Sequence, residues 1–517
     1  MYRKKIPQQL EFPNFYLPFS GQLDPDNRWV LLAQLVPWDL AEEIYHAGLS
    51  SDQGAPIKSA RLALGALLIK EKQGLTDRET VAAIQENPYL QFFIGFEEFS
   101  KKPPFDDSLM VDFRKRFPAA GIQKIAEVIA LRSMQQQSVE EAEETSEAEA
   151  HPNDAADKSP LIINDGDCGD DNTNSTASVE ENDNGGKLIV DATCAPADIR
   201  FPTDISLLNE AREKTDDIID ELQRPLRGKQ PRPRTYRRKA RRIFLNFIKR
   251  KKPGAKLIRK TKKKLLNLLK RNFKAIDALL QNPDALPLAR FGREMHKNLL
   301  VCRELFRQQL EMSEANSNRI DDRIVSISQP HVRPIKRGKA RNKTEFGAKL
   351  SLSVVSGFSF LDRLSWDNYN ESRDLIEQIE SYRSRFGYYP ESVHADQIYR
   401  TRKNRKYCKE RGIRLSGPPL GRPPKNVSAT DKIEAAMDEG VRNQVEGKFG
   451  EGKRRFSLNL VMTKLTETSC TQISLTFLVM NLAEALRRFR PRSIIRRCLT
   501  APAFPEQQTP RLISLAC

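Results

Sequence analysis

The chain has 517 residues, 39% of them hydrophobic and 30% charged, which is longer than one ordinary domain and apolar enough for real cores. Its formal net charge of +18 points to a polyanionic partner, with an anionic membrane surface or acidic proteins as alternatives. Seven cysteines without a CxxC pair exclude a zinc ribbon and a secreted disulfide framework, and suit a reducing cytosol.

The amino-terminal segment has no continuous apolar run of the kind a signal peptide needs. The longest apolar stretch, Ile473 to Ala485, is interrupted by Ser474, Thr476 and Asn481 and is too short to span a bilayer. Residues 1–133 read as an all-helical domain. Leu32, Leu35, Leu40 and Ile44 recur at helical spacing, and Leu62, Leu64, Leu67 and Leu68 repeat the pattern. Thr76 followed by Glu79 is a capping box, and Asp107 or Ser108 is placed to cap a helix presenting Arg114, Lys115 and Arg116. DNA-end binding and dimerisation are both open to such a unit.

Residues 134–186 are rich in acids and poor in bases and aromatics, so an acidic disordered linker is expected. Order returns at KLIVDAT, where a short β-branched run ends in Asp191. A carboxylate closing a buried strand is costly unless paired or metal-bound, although turn formation is a common reason for an aspartate there. Thr203 or Asp204 caps the helix that follows.

Residues 224–280 carry the densest run of cations, yet Ile243, Phe247, Leu265, Leu269, Phe273, Ile276 and Leu280 keep a helical period inside it. The expectation is basic amphipathic helices that pack on protein with one face and offer lysine and arginine to phosphates with the other. From Arg323 the period shortens to that of strands, in RIVSISQPHVRPI, EFGAKLSLSVVSGFSFLDRLSW and ESVHADQIY. A helix between the last two is stopped by Gly387 and Pro390. The run ESVHADQIY again delivers an acid, Asp396, with cations directly beyond it. In VRNQVEGKFGEGKRR a helix places Arg442, Glu446 and Lys453 near one face, a pattern that is most often an ordinary surface ion pair. Gly447, Gly450 and Gly452 each weaken that helix by about 1 kcal/mol relative to alanine, so packing or a ligand has to hold it.

Two strand-end aspartates and a helix-borne glutamate form a set able to hold two Mg²⁺ ions for in-line phosphoryl transfer. Three acids without histidine suit Mg²⁺ better than zinc, and Mn²⁺ also fits.

The block PIKSARLALGALLIKEKQGLTDRETVAAIQENPYLQFFIGF, ending in PFDDSLMVDFRKRF, is similar to the amino-terminal helical domain of bacterial insertion-sequence transposases of the DDE type. The stretches VDATCAPADIRFPTD, RPIKRGKARNKTEFGAK, HADQIYRTRKNRKYCKERGI and RNQVEGKFGEGKR resemble that family's core and come in its order. The resemblance implies an α/β, RNase H-like catalytic core with an N-terminal all-helical domain and a basic helical insertion between the first and second core strands. On this reading residues 187–212 begin the core, 213–321 are the insertion, 322–490 complete the core and 491–517 are a peripheral tail.

The resemblance further implies Asp191, Asp396 and Glu446 as catalytic, metal-binding residues, with Arg442, Lys453, Arg400, Lys403 and Arg405 on DNA. Arg442, Glu446 and Lys453 match the spacing of a signature in some members, whereas Glu439 stands where those members have tyrosine. The implied activity is Mg²⁺-dependent cleavage at transposon ends and strand transfer into target DNA by a cytoplasmic, nucleoid-associated protein. A homodimer in the synaptic complex is also implied. An inactive relic that binds terminal repeats and represses is the alternative.

Overall fold

The computed structural model describes residue 17 and residues 21–47, 57–149, 184–336, 344–417 and 428–500. Two compact units emerge from the chain. In order it forms α1 (Arg28–Leu35), α2 (Trp38–His46), α3 (Ala60–Gln73), α4 (Asp77–Glu86), α5 (Pro88–Phe93), α6 (Leu109–Arg116) and α7 (Ala119–Glu149). Then come β1 (Lys187–Pro196), α8 (Asp204–Leu222), α9 (Arg237–Ile248), α10 (Ala255–Leu280) and α11 (Arg293–Glu314). These are followed by β2 (Arg333–Lys336), β3 (Thr344–Val355), β4 (Phe358–Ser365), α12 (Leu375–Phe386), β5 (Ser392–Ala395) and α13 (Arg402–Glu410). The chain closes with β6 (Arg414–Leu415), α14 (Ala429–Arg455) and α15 (Thr466–Thr500).

The first unit takes in residues 1–113, 124–172 and 478–517. Its helices start and stop where local chemistry satisfies their ends. The Ser59 hydroxyl accepts from Leu62 N–H at the start of α3, and Gly74 closes that helix in the left-handed conformation. Thr76 and Glu79 form the expected capping box on α4. Trp29 and Trp38 both meet Phe93 edge-on, with ring centroids 5.1 and 5.4 Å apart. At α6, Asp106 rather than Asp107 or Ser108 organises the entry, because its Oδ1 accepts from the Ser108 backbone N–H at 3.0 Å. Arg114 is buried, so α6 does not present it to solvent as the sequence predicted. Helix α7 continues to Glu149, so the start of the expected linker is helical. Its Glu, Ala and Gln residues are strong helix formers that extend an existing helix at little cost. Residues 150–183, the rest of that linker, lie outside the described residues. Helix α15 runs past Pro491, so the start of the expected tail is helical as well. Within this unit the Asn481 side chain donates to the Ala126 carbonyl at 3.4 Å, tying α15 to α7.

The second unit, 114–123 with 173–477, is mixed α/β around a six-stranded sheet. The strand order is β2-β3-β1-β5-β6, with β4 also on β3. β1 pairs antiparallel with β3 along most of its length and parallel with β5 only from Lys187 to Val190. β3 and β4 are joined by Ser356 and Gly357, both at positive φ (45° and 77°), as a two-residue hairpin turn requires. RIVSISQPHVRPI contributes only β2, because Arg333–Lys336 alone finds a partner, on β3. Along β3, Gly347 lies so close to Ala195 that an added Cβ would sit 2.0 Å from its carbonyl oxygen. One face of the sheet is covered by α12. There Asp362 is largely buried and accepts from Ser353, from Gln378 at 3.0 Å and from Arg385 at 3.2 Å. Burial pushes that carboxyl's pKa up, and these partners oppose the rise.

Between β1 and β2 in the chain, α8 to α11 form a helical bundle with its own core of Leu208, Ile219, Leu265, Leu269, Ile276 and Leu305. The predicted apolar face of α10 is present, except that Leu279 is buried in place of Leu280, which is 37% exposed. A polar seam ties the bundle. Arg212 donates to Asp216 at 2.6 Å, both almost fully buried, and Asn272 of α10 donates to Asp216 at 2.8 Å. Thr203 is the cap of α8. Asp204 instead accepts from Lys262 of α10 at 3.1 Å, Gln309 of α11 at 3.1 Å and Arg323 at 2.6 Å. Burial disfavours its charge, but Lys262, Arg323 and Gln309 outweigh that and hold the carboxyl below its usual range.

Asp216→Asn takes away the buried charge partner of Arg212, leaving it the part-exposed Glu213 at 2.8 Å, and is expected to destabilise the bundle by about 1–3 kcal/mol. A denaturant midpoint unchanged from the parent would show that the seam is not needed. His331, packed edge-on against Trp366 with centroids 4.4 Å apart, has its pKa lowered to about 4 by burial and by Lys297 and Arg333. Below about pH 6.5 the unfolded chain therefore takes up a proton that the folded chain refuses. Stability falls as pH drops from 6.5 towards 4, and His331→Gln is expected to flatten that limb of the urea midpoint against pH. An identical limb in the variant would contradict this.

Candidate active site

The parallel pairing of β1 with β5 ends at Val190 opposite Ala395. The next residue on each strand is Asp191 and Asp396, so the two carboxylates emerge from neighbouring strands about 4.8 Å apart in the hydrogen-bonding direction. Asp191 does not close its strand, contrary to the sequence expectation. β3 continues to pair with β1 through Pro196, and the aspartate lies at the point where the other neighbour peels away.

The third acid comes from above the sheet. Helix α14 packs on β1 and β5, burying Val445, Phe449 and, one residue past its end, Phe456. These apolar contacts hold the glycine-containing stretch in helical form. Arg414 anchors its first half by a two-oxygen contact with Asp438, at 2.7 and 2.9 Å. Asp438 also lies 3.4 Å from Nδ1 of the buried His394 on β5. Further along α14, Arg442 pairs with Asp396 at 3.2 Å, and Lys453 donates to the Thr193 hydroxyl at 3.0 Å. Glu446 lies between them on the helix and is exposed.

The electrostatics join the three acids. The pKa of Asp191 is raised to about 6, chiefly by burial, against the pull of the Ala192 N–H that it accepts at 2.7 Å. The negative charges of Asp396, Glu371 and Glu446 add to the rise. Repulsion among carboxylates is what a bound divalent cation relieves, and a donor set made of oxygens suits Mg²⁺ or Mn²⁺. Among the described residues no group of three or more His, Cys, Asp or Glu side chains is close enough to enclose one ion as it stands. The guanidinium of Arg442 neutralises Asp396 in this state.

The cations beyond Asp396 divide. The Arg400 guanidinium donates to the Ser416 carbonyl at 2.7 Å, just past β6, and Arg405 donates to the Arg400 carbonyl at 3.2 Å, fastening the turn that follows Asp396. Lys403 is exposed on α13, whose amino end is capped by Thr401. Sequence reasoning missed Thr193, Glu371 and the Asp438–His394 contact. Thr193 was within reach, because it is two residues after Asp191 and so shares its face. Glu371 follows β4 by a turn and carries no local signal; it is held by Lys349 at 2.8 Å.

If the three acids take up Mg²⁺, a concentration about 100 times its Kd stabilises the protein by about 2.7 kcal/mol. That shift in urea midpoint is expected to vanish in the double variant Asp191→Asn, Asp396→Asn. The same shift in the variant would place the ion elsewhere.

Comparison with known proteins bears on both halves of the chain. Residues 18–116 match a transposase domain, DUF772, and residues 393–483 match a transposase DDE domain. The second match contains Asp396, Arg442, Glu446 and Lys453, whereas Asp191 lies outside it. The chain is 36% identical over 103 residues to an uncharacterized protein, ORF8 in the nfe locus of Rhizobium meliloti. That alignment covers 20% of this chain and 49% of the relative, so the chain spans about half the length of the curated relative it matches. No solved structure matches the chain. Two transposase domain models thus match the chain in this order, one on each side of the strand that carries Asp191, and they support its likeness to the insertion-sequence DDE transposases.

Proposed function

We propose that the protein cuts DNA at the ends of its own element and joins those ends to target DNA, with Asp191, Asp396 and Glu446 holding two Mg²⁺ ions in an RNase H-like core. The observation that carries this reading is the register of β1 and β5, which sets two aspartates side by side under a helix bearing the third acid. The ions, when bound, supply a polarised water or 3′-hydroxyl and charge relief at the leaving oxygen.

The chain's own residues do the rest. Asp191 must be ionised to serve as a ligand, and the cations that follow it into the site favour that form. Arg442, paired with Asp396, would be free to turn to a DNA phosphate if that carboxylate served as a metal ligand. Lys453, held at Thr193 two residues along the same strand, is a second phosphate contact, and Lys403 on α13 a third. Arg400 and Arg405 would act mainly by fixing the backbone that follows Asp396. The amino-terminal helical unit is assigned to end binding or to dimerisation, since joining two ends in one complex calls for at least two copies.

Asp191→Asn, Asp396→Asn and Glu446→Gln should each abolish cleavage of a duplex carrying the element's end, by at least about 10³-fold, while leaving its binding intact. Retained cleavage in any one of them removes that residue from the site. Loss of cleavage together with loss of the fold, read by circular dichroism, would mean that the residue is structural.

A further inference from the structure

From Leu222 to Ile276 the chain contains no aspartate or glutamate while lysines and arginines recur throughout. The fold makes this run a surface. On α10, Lys256, Arg259, Lys260, Lys263, Lys264 and Lys270 are all exposed. Their spacings of three, one, three, one and six residues keep them on one side of the helix, opposite buried Leu265, Leu269 and Ile276. Lys249 to Lys252, in the turn between α9 and α10, extend the same character and are exposed too.

Helix α11 is charged differently. Arg307 of α11 is matched by Glu304 at 2.7 Å and Glu311 at 2.9 Å, and Arg303 by Asp277. Lys262, the one lysine of α10 that turns inward, is matched by Asp204. Among the described residues the six outward cations named above have no carboxylate at ion-pair distance. Like charges at i,i+4, such as Lys256 with Lys260 and Lys260 with Lys264, destabilise a helix by about 0.2–0.5 kcal/mol per pair. A solvated face gains nothing from that arrangement, whereas a polyanion laid along it removes the repulsion.

We infer that the outer face of α10, with the α9–α10 turn, is a sequence-independent binding surface for the phosphate backbone of duplex DNA, separate from the three-acid site. From Lys256 to Lys274 the stripe is about 27 Å long at 1.5 Å per residue. That length is matched by about eight base pairs at 3.4 Å each. The stripe contains no aromatic residue on which an unpaired base would stack, and a row of flexible lysines fits phosphates and not base edges. The choice of DNA over RNA rests on the transposase reading above. The seam through Asp216 and Asn272 and the Asp204 contact to Lys262 keep α10 fixed on α8, so the stripe is presented rigidly.

The test uses the full chain, a random-sequence DNA duplex and chelator throughout, so that cleavage plays no part. Affinity is measured against salt for the parent and for the quadruple variant Lys256→Gln, Lys260→Gln, Lys263→Gln, Lys264→Gln. Glutamine keeps helix propensity, and a melting curve verifies the fold. The slope of log affinity against log salt is expected to fall by about 0.9 for each phosphate contact removed, so by about 2–4 in all. The control, Arg303→Gln with Arg307→Gln on α11, should leave the slope unchanged. An unchanged slope in a folded quadruple variant overturns the inference. So does stripe-dependent binding that is tighter to duplex RNA, or to anionic phospholipid vesicles, than to the DNA. If the acid-to-amide variants keep cleavage while this slope falls, the catalytic assignment fails and the surface stands. The reverse pattern spares the catalytic assignment and rejects the surface.

Discussion

Everything at the candidate active site depends on four residue pairs of parallel β pairing. Lys187 to Val190 run beside Ser392 to Ala395, and the hydrogen-bonded ladder stops there. A shift of one residue would turn Asp191 or Asp396 to the opposite face of the sheet, because side chains alternate along a strand. The register is fixed by what is buried on either side. Leu188, Val190, Val393 and Ala395 are all core residues. β3 clamps β1 from the other edge along eight residue pairs. A costly pair of acids is thus tolerated because a long apolar and hydrogen-bonded frame imposes it.

The same frame accounts for the tension in the acids. Asp191 is half-buried and surrounded by three other negative charges, so its neutral form is favoured to an unusual degree for an aspartate. Asp396 is relieved by Arg442, and Lys453 stands two residues further along β1 at Thr193. The cations of α14 therefore occupy places beside the acids that a metal and a phosphate chain would contest. Such an arrangement keeps the site in order without substrate and leaves it able to exchange partners.

Much of this was legible in the residues. The capping box at Thr76, the stop at Gly387 and the amphipathic period of α10 rest on local chemistry, and the structure forms each of them. Less local features were not legible. β1 continues past Asp191 because β3 pairs with it, and nothing within KLIVDAT announces a partner some 160 residues away. Asp204 was expected to cap a helix, but its role is set by Lys262, Gln309 and Arg323, which approach from three later segments. Arg400 had the composition of a phosphate ligand, yet the Ser416 carbonyl just past β6 takes its donor. In each case the local signal was sound and a distant segment decided its use.

The most direct test of the central claim is anomalous scattering from Mn²⁺ in crystals of the protein bound to element-end DNA. The account predicts peaks within about 2.0–2.2 Å of carboxylate oxygens of Asp191, Asp396 and Glu446, with the Arg442 guanidinium moved from Asp396 onto a DNA phosphate. Mn²⁺ bound away from these three residues in a cleavage-competent complex would contradict it.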